Sequence, residues 1–325
     1  MIKAALIGYG YWGLVLLKNM NKNSKIKVVL VCDRNIEKIK KVKDNYKYIK
    51  TTNDSQVIIK NPEIDLVVIA TQASTHYELT KKALLSNKHV FVEKPFTLDI
   101  EQAIELQKLA ESRNLKIFVD HPHIFQNDHE KIKEILNKNE LGMILNYHST
   151  RADFGLFQKE TNVIWHSLYH DIYIIRDLFP NEKIINIDAI ASSHILKDVF
   201  DVASVSITFK SGLTADFYIN FLFPEKERKI VISGSKKLVH WDYTRQEKIR
   251  IYDKTAYFNE KTKKFVYGDN NKHVSVDVTY NESIYSEFEH VVDCILNNKK
   301  SINGPDSAIE VMKILKRIEA AALKK

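Results

Sequence analysis

The run "ALIGYGYWGLVLL", Ala5 to Leu17, constrains the fold more than any other stretch of the chain. It sets Gly8, Gly10 and Gly13 as GxGxxG directly after an apolar strand and at the opening of a helix. Alone the motif is weak, but the strand before it and the helix after it make it informative. Gly8 permits a tight turn, Gly10 lets the backbone approach a pyrophosphate, and Gly13 lets the helix pack close to a sheet. Unpaired N–H groups at the helix start favour phosphate, and Tyr11 and Trp12 stand in the same turn as further cofactor-binding candidates. The next apolar run ends "VLVCDR" and puts Asp33 twenty residues beyond Gly13. A carboxylate there accepts hydrogen bonds from ribose hydroxyls and repels a 2′-phosphate, which favours NAD over NADP. Arg34 beside it can pair with such a phosphate, so NADP stays open.

The alternation that begins here continues to about residue 120. Strands are expected at Ile2–Ile7, Ile26–Asp33, Tyr46–Lys50, Leu66–Ala70, His89–Val92 and Lys116–Asp120, with helices between them. Short apolar runs without polar alternation, such as "DLVVIA", suit a parallel sheet covered on both faces. The first domain, residues 1–120, therefore reads as a doubly wound α/β (Rossmann) domain. Beyond it the pattern changes to one helix, a strand near Ile144–Arg151, a helical segment Asn162–Phe179 and a long β-rich region. Ser211-Gly212 between two alternating runs signals a hairpin, so the sheet of residues 121–325 is at least partly antiparallel. Two helices close the chain, the second expected from Asp306 as N-cap and free to pack back on the first domain.

The chain has 325 residues, enough for two domains with real cores. The formal charge of +8 comes from scattered lysines without interleaved aromatics, which argues against nucleic-acid binding and leaves an acidic small ligand compatible. Cys32 and Cys294 lie far apart with no CxxC partner, which points to a reducing compartment. No stretch reaches the roughly twenty apolar residues of a membrane span, so a cytoplasmic protein without a membrane partner is expected.

Three features bear on chemistry. "HVFVEKPFTLD" ends a buried strand with Glu93 and Lys94, where ligands of open α/β sheets bind. A surface ion pair at a loop is the plain alternative for these two residues. The segment "NVIWHSLYHDIYIIRDLF" carries His166 and His170 four residues apart, on one face if helical. Zinc would need further ligands, and no spacing ties His121 and His123 to the pair. Burial of both rings in the core competes, because Ile164, Trp165, Leu168 and Ile174 are apolar. Finally, Arg151, Lys226 and Arg228 are either solvated charges or contacts for a substrate, with Asp153 close to Arg151 after the same strand.

The motifs "GYGYWG", "IATQASTHYELTKKALLSNKHVFVEKPF", "LGMILNYHSTRADFG" and "FPEKERKIVISGSKKLVHWD" resemble, in order and spacing, those of the glucose-fructose oxidoreductase/inositol dehydrogenase/MocA family. The resemblance implies a Rossmann domain followed by a C-terminal α+β domain with a large, mostly antiparallel sheet, and homodimers or homotetramers formed through that sheet. It implies an NAD(P)-dependent oxidoreductase acting on a secondary alcohol or ketone of a sugar, with a nucleotide-linked sugar of surface-polysaccharide synthesis favoured over a cyclitol. It implies that Thr71, Gln72 and His76 line the cofactor, that Glu93 and Lys94 flank the nicotinamide, and that Lys94 positions the substrate hydroxyl. Gln72 departs from the proline common at its position. His170, followed by Asp171, matches the family's proton-transfer histidine, whereas His166 falls where the family has aspartate. That departure motivates the alternative of a non-catalytic NAD-binding regulatory protein. Trp165, Arg151, Asp153, Lys226 and Arg228 are the implied substrate contacts.

Overall fold

The computed structural model describes residues 1–324 apart from 156, 158 and 160, with backbone alone at 269–271. The chain divides into two compact units, Met1–Phe125 with Glu282–Lys313, and Gln126–Asn281 with Ile314–Lys325. Among the described residues, no helix is long and apolar enough to cross a membrane.

The first unit runs β1 (Ile2–Ile7), α1 (Tyr11–Lys22), β2 (Ile26–Cys32), α2 (Ile36–Asn45), β3 (Lys50–Thr52), α3 (Ser55–Ile59), β4 (Leu66–Ile69), α4 (His76–Leu85), β5 (His89–Val92), α5 (Ile100–Ser112) and β6 (Ile117–Val119). Its six strands pair in the order β3-β2-β1-β4-β5-β6, every pair parallel. Residues on both faces of β1 and β4 are buried, as a sheet covered by helices on both sides requires. Chain order reverses between β1 and β4, and ligands of such sheets bind beyond the strand ends at that point. Helix starts follow capping chemistry: the carboxylate of Asp99 accepts the N–H groups of Glu101 and Gln102 at 2.8 and 3.1 Å.

One strand differs from the sequence expectation. The aromatic run from Tyr46 closes α2 instead, its N–H donating to Val42 O at 2.8 Å, and Ile49 N–H turns back onto Tyr46 O at 3.0 Å. Strand β3 therefore starts only at Lys50, opposite Leu30.

The second unit contains α6 (Asn127–Asn137), β7 (Ile144–Phe154), a π-helical turn (Ile164–Leu168), α7 (Tyr169–Leu178), β8 (Ile184–Ser192), β9 (Val202–Phe209), β10 (Thr214–Asn220), β11 (Leu222–Gly234), β12 (Leu238–Asp242), β13 (Ile249–Asn259) and β14 (Lys264–Val276). These eight strands order as β14-β13-β12-β11-β7-β10-β9-β8, and only β7·β10 is parallel. Burial alternates along β9 and β10, the mark of a sheet covered on one face. The Ser211-Gly212 turn joins them, with Gly212 at φ +94°.

Helices α8 (Ser283–Leu296) and α9 (Pro305–Ala322) follow. In the first unit Phe288 of α8 stacks on Phe91 of β5 at 5.0 Å between centroids. Helix α9 starts one residue before the expected cap. Pro305 takes the first helical position, where its missing N–H is harmless, and Asp306 lies inside the first turn beside Lys300 and Gln107.

Candidate active site

At the carboxyl ends of the central strands the first unit opens a cavity of about 810 Å³ whose lining includes Gly8, Gly10, Asp33, Arg34, Thr71 and Gln72. Gly8 has φ +97°, and a Cβ there would lie 2.4 Å from Ala70 O. A Cβ on Gly13 would lie 1.9 Å from Gly8 O, so α1 approaches the turn as closely as backbone allows. Gly10 is different: its Cβ would meet nothing nearer than Lys38 Nζ at 4.0 Å. Gly10 is also the N-cap of α1 with no side-chain hydrogen bond across the helix start. Open space over unpaired helix-start N–H groups is what a pyrophosphate requires, so these residues fit a dinucleotide. Gly13→Ala is expected to cost on the order of 3 kcal/mol through overpacking against backbone. Thermal melting with and without NAD checks this, and an unchanged midpoint would contradict the reading.

Asp33 is held in place by the N–H groups of Tyr9 (2.7 Å, to Oδ2) and Asn35 (2.8 Å, to Oδ1). Lys38, which the sequence reading missed, sits 3.6 Å from Asp33 Oδ2 and also lines the cavity. Burial, with Asp33 adjacent, pushes the Cys32 thiol up to about 11, so this cavity residue stays an inert thiol. Tyr11 and Trp12 do not belong to the lining: they are exposed and meet each other edge-on at 5.2 Å. His76, expected against the cofactor, is buried behind the site, its Nδ1 2.8 Å from Pro95 O and its Nε2 3.2 Å from Thr71 O. It ties the Thr71 loop to the segment after Lys94.

Beyond β5, Glu93 is buried and Lys94 half-buried. Neither lines the 810 Å³ cavity. Glu93 meets Asp120 after β6, and Asp120 in turn meets Glu287 of α8, two carboxyls that the sequence pattern does not bring together; all three are at 5% exposure or less. Burial and then Asp120 hold Glu93 and Glu287 well above the carboxylate range. A carboxyl raised on folding stabilises the fold below its unfolded value, and that contribution is lost as pH rises. Above the ordinary carboxylate range the wild-type melting temperature is therefore expected to fall with pH more steeply than that of Glu287→Gln. Parallel slopes in a calorimetric pH series would contradict this.

In the second unit the histidine segment is not a plain α-helix. Ile164–Leu168 forms a π turn before α7, a local widening that often marks functional sites. His166, Trp165 and His170 are half-buried there, while Ile164 and Leu168 are fully buried. His166 Nδ1 lies 3.3 Å from Ser167 Oγ, and its ring meets Phe221 edge-on at 5.4 Å. Among the described residues, no three His, Cys, Asp or Glu side chains are grouped to hold a metal ion.

The two arginines named as substrate contacts have other partners. Arg151 and Arg228 lie side by side on β7 and β11. Arg151 Nε donates to Asp171 Oδ2 at 2.6 Å and Nη2 to Oδ1 at 3.3 Å, with Ser149 Oγ donating to Oδ1 at 2.8 Å, all in the interior. Arg228 Nη2 donates to Asp153 Oδ2 at 2.6 Å, and its Nη1 to Ala152 O at 3.0 Å. Burial and the neighbouring Arg151 pull Arg228 below its ordinary value. Both guanidinium groups, and the Asp153 carboxylate, are thus committed to internal pairs rather than presented to a diphosphate. Lys226 alone of that group is exposed.

Comparison with known proteins adds to this geometry. Residues 2–121 match the model of an oxidoreductase family with an NAD-binding Rossmann fold, and residues 129–240 match the GFO/IDH/MocA C-terminal domain. The chain belongs to the GFO/IDH/MocA oxidoreductase family. Over 277 residues it is 24% identical to the 2,7-anhydro-N-acetylneuraminate hydratase of Escherichia coli, covering 79% of this chain and 72% of that protein. Over 168 residues it is 26% identical to the scyllo-inositol 2-dehydrogenase (NADP(+)) of Bacillus subtilis, covering 50% of this chain and 44% of that protein. For several other curated relatives the match spans 38 to 48% of their length. Among solved structures, the UDP-N-acetylglucosamine 3-dehydrogenase of Acidithiobacillus ferrooxidans superposes with a TM-score of 0.83 at 20% identity, covering 98% of this chain and 97% of that one. The parallel six-stranded sheet and the mostly antiparallel eight-stranded sheet are the family's fold.

Proposed function

We propose that the protein is an NAD(P)-dependent oxidoreductase that moves hydride between nicotinamide C4 and a secondary alcohol or ketone on a sugar or cyclitol ring. The observation that carries this reading is Lys94 at the carboxyl end of β5, in a unit whose glycine turn, oriented Asp33 and open cavity fit a dinucleotide. NAD supplies the hydride acceptor when bound. The Lys94 ammonium then steadies the alkoxide as it forms, or polarises the carbonyl in the reverse direction. His170 takes the hydroxyl proton, a task suited to an imidazole near neutral pH. Asp33 favours NAD, while Arg34 and Lys38 beside it supply cations for the 2′-phosphate of NADP.

A nucleotide-linked sugar draws support from the fold neighbour that acts on UDP-N-acetylglucosamine, and a cyclitol from the inositol dehydrogenase relative. Internal pairing of Arg151 and Arg228 leaves Lys226 as the diphosphate candidate of the three. A homodimer or homotetramer belongs to the same reading, with Ile185, Ile190, Tyr257, Phe265 and Tyr267 exposed on strands of the second sheet. A single-chain mass in analytical ultracentrifugation would remove that part.

The test is NADH absorbance from purified protein with NAD or NADP and a panel of nucleotide-linked sugars, free sugars and inositols. Lys94→Ala is expected to lower kcat about 10²- to 10³-fold, the usual cost of removing one donor to a developing oxyanion. Bound cofactor with no turnover across the panel, and none gained by His166→Asp, would instead mark an NAD-binding regulatory protein.

A further inference from the structure

We propose that Asp120 and Glu287 are positioning residues for Lys94, forming with Glu93 a proton-sharing carboxyl triad that keeps one negative charge beside the Lys94 ammonium. The geometry begins with the sheet. Val92 and Val119 are register partners on parallel β5 and β6, so the residues that follow them, Glu93 and Asp120, leave adjacent strand ends side by side. Asp120 N–H donates to Val92 O at 2.9 Å, which fixes that neighbourhood. Helix α8 delivers Glu287, whose Oε1 accepts the His121 N–H at 2.9 Å and the Asn303 Nδ2–H at 2.7 Å. Asn303 is itself fastened to the sheet, donating to Val119 O at 3.1 Å and accepting the Val119 N–H at 2.8 Å.

These bonds use one side of Glu287 and leave the other side of the cluster without donors. Among the described residues, Glu93 Oε1, Asp120 Oδ1 and Glu287 Oε2 are buried and receive no N–H or O–H. Carboxyl oxygens buried side by side in that state are satisfied by protons held within the group itself when one member or more is protonated. Three adjacent buried carboxylates cannot all ionise, because each like charge raises the cost of the next. Asp120 lies between the other two: burial raises it as well, but its contacts with Glu287 and Glu93 work against that rise, whereas burial and then Asp120 raise both glutamates well above the carboxylate range. The arrangement is one carboxylate accepting hydrogen bonds from two carboxylic acids.

Titratable groups that act on the triad and its surroundings include Lys94, His121 and, beyond it, His123; Asn303 is uncharged. Burial and then Lys94 push His121 well below its ordinary range, so it brings no charge near neutral pH. The Lys94 ammonium acts on both Glu93 and Asp120 and favours their ionised forms. The converse holds by reciprocity: the single carboxylate keeps Lys94 protonated, the form that can stabilise an alkoxide. For turnover the inference rests on the role proposed for Lys94, but the triad is measurable without turnover.

Two measurements on the full-length protein test it. The first is the pH dependence of Lys94 acylation, read by peptide mass spectrometry. Asp120→Asn removes the charge and is expected to move the Lys94 labelling curve down by about one pH unit or more. Glu287→Gln keeps an N–H pointing at Asp120, and its curve is expected to overlie that of wild type. Coincident curves for Asp120→Asn and wild type, or equal displacement in both variants, would overturn the proposal. The second is infrared spectroscopy of the unmodified protein at neutral pH, which should show C=O stretching from protonated carboxyls, reduced in Glu287→Gln; its absence would also overturn the proposal. Neither readout involves substrate. Full turnover by Lys94→Ala would remove the catalytic reading and leave the triad standing.

Discussion

His170→Ala is expected to lower kcat by about 10²- to 10⁴-fold, the range in which a positioned general base or acid acts. The residue has the chemistry for it: an imidazole titrates near neutrality without special tuning, and hydride cannot leave an alcohol carbon unless the hydroxyl proton also finds a base. His170 is half-buried at the start of α7, just after the π turn, between residues whose side chains are fully buried. The packing of those neighbours holds its backbone in place. Cofactor affinity should stay within about threefold of wild type, so the loss should fall on kcat rather than on NAD binding. Partial rescue by added imidazole would identify proton transfer as the missing step. His166→Ala, if His166 serves as packing against Phe221, should cost far less; equal losses at the two positions would reassign the base.

The second large effect is on stability. Asp171→Ala is expected to destabilise the second unit by about 3–5 kcal/mol, because it strands the buried Arg151 charge. Burial alone works against that charge, and the Asp171 carboxylate outweighs it, so the guanidinium is held above its ordinary value. The carboxylate also accepts the Ser149 hydroxyl, so its removal takes the acceptor from three donors, two of them on Arg151. Removing both charges at once, in Arg151→Met with Asp171→Leu, should recover much of the loss, since a buried pair is worth little against well-packed apolar side chains. Urea denaturation midpoints of the single and double variants decide the matter. A single-variant loss below about 1 kcal/mol would mean that water reaches the pair.

The strands and the glycine turn were legible because each depends on local pattern. Buried strands β1 and β5 run over the residues the apolar runs mark, and Gly8 and Gly13 occupy positions where any Cβ strikes backbone. The failures share a physical cause. Tyr46 has the composition of a strand residue, yet its N–H is taken by the end of α2, a competition that composition does not encode. Arg151 and Arg228 read as contacts for the sugar and for a diphosphate, because Asp171 and Asp153 become their partners only when β7, β11 and α7 pack together. The family resemblance implies that His76 lines the cofactor, but helix α4 turns it inward onto two carbonyls. The Glu93, Asp120 and Glu287 cluster was invisible for the same reason: Glu287 stands far along the chain, and α8 alone brings it to the strand ends. Lys38 offered a weak signal, as a helix residue five positions after Asp33, a spacing that the sequence reading did not use.

Hydride transfer itself is the central claim, and isotope transfer tests it most directly. NADH carrying deuterium at C4 would be incubated with the protein and the keto forms of the sugar and inositol panel, and the products examined by mass spectrometry and NMR. Deuterium bound to a ring carbon of one product, appearing about 10²- to 10³-fold more slowly with Lys94→Ala, is the predicted result. Deuterium retained entirely on the nicotinamide across the panel, in protein shown by titration to bind the cofactor, would contradict the account.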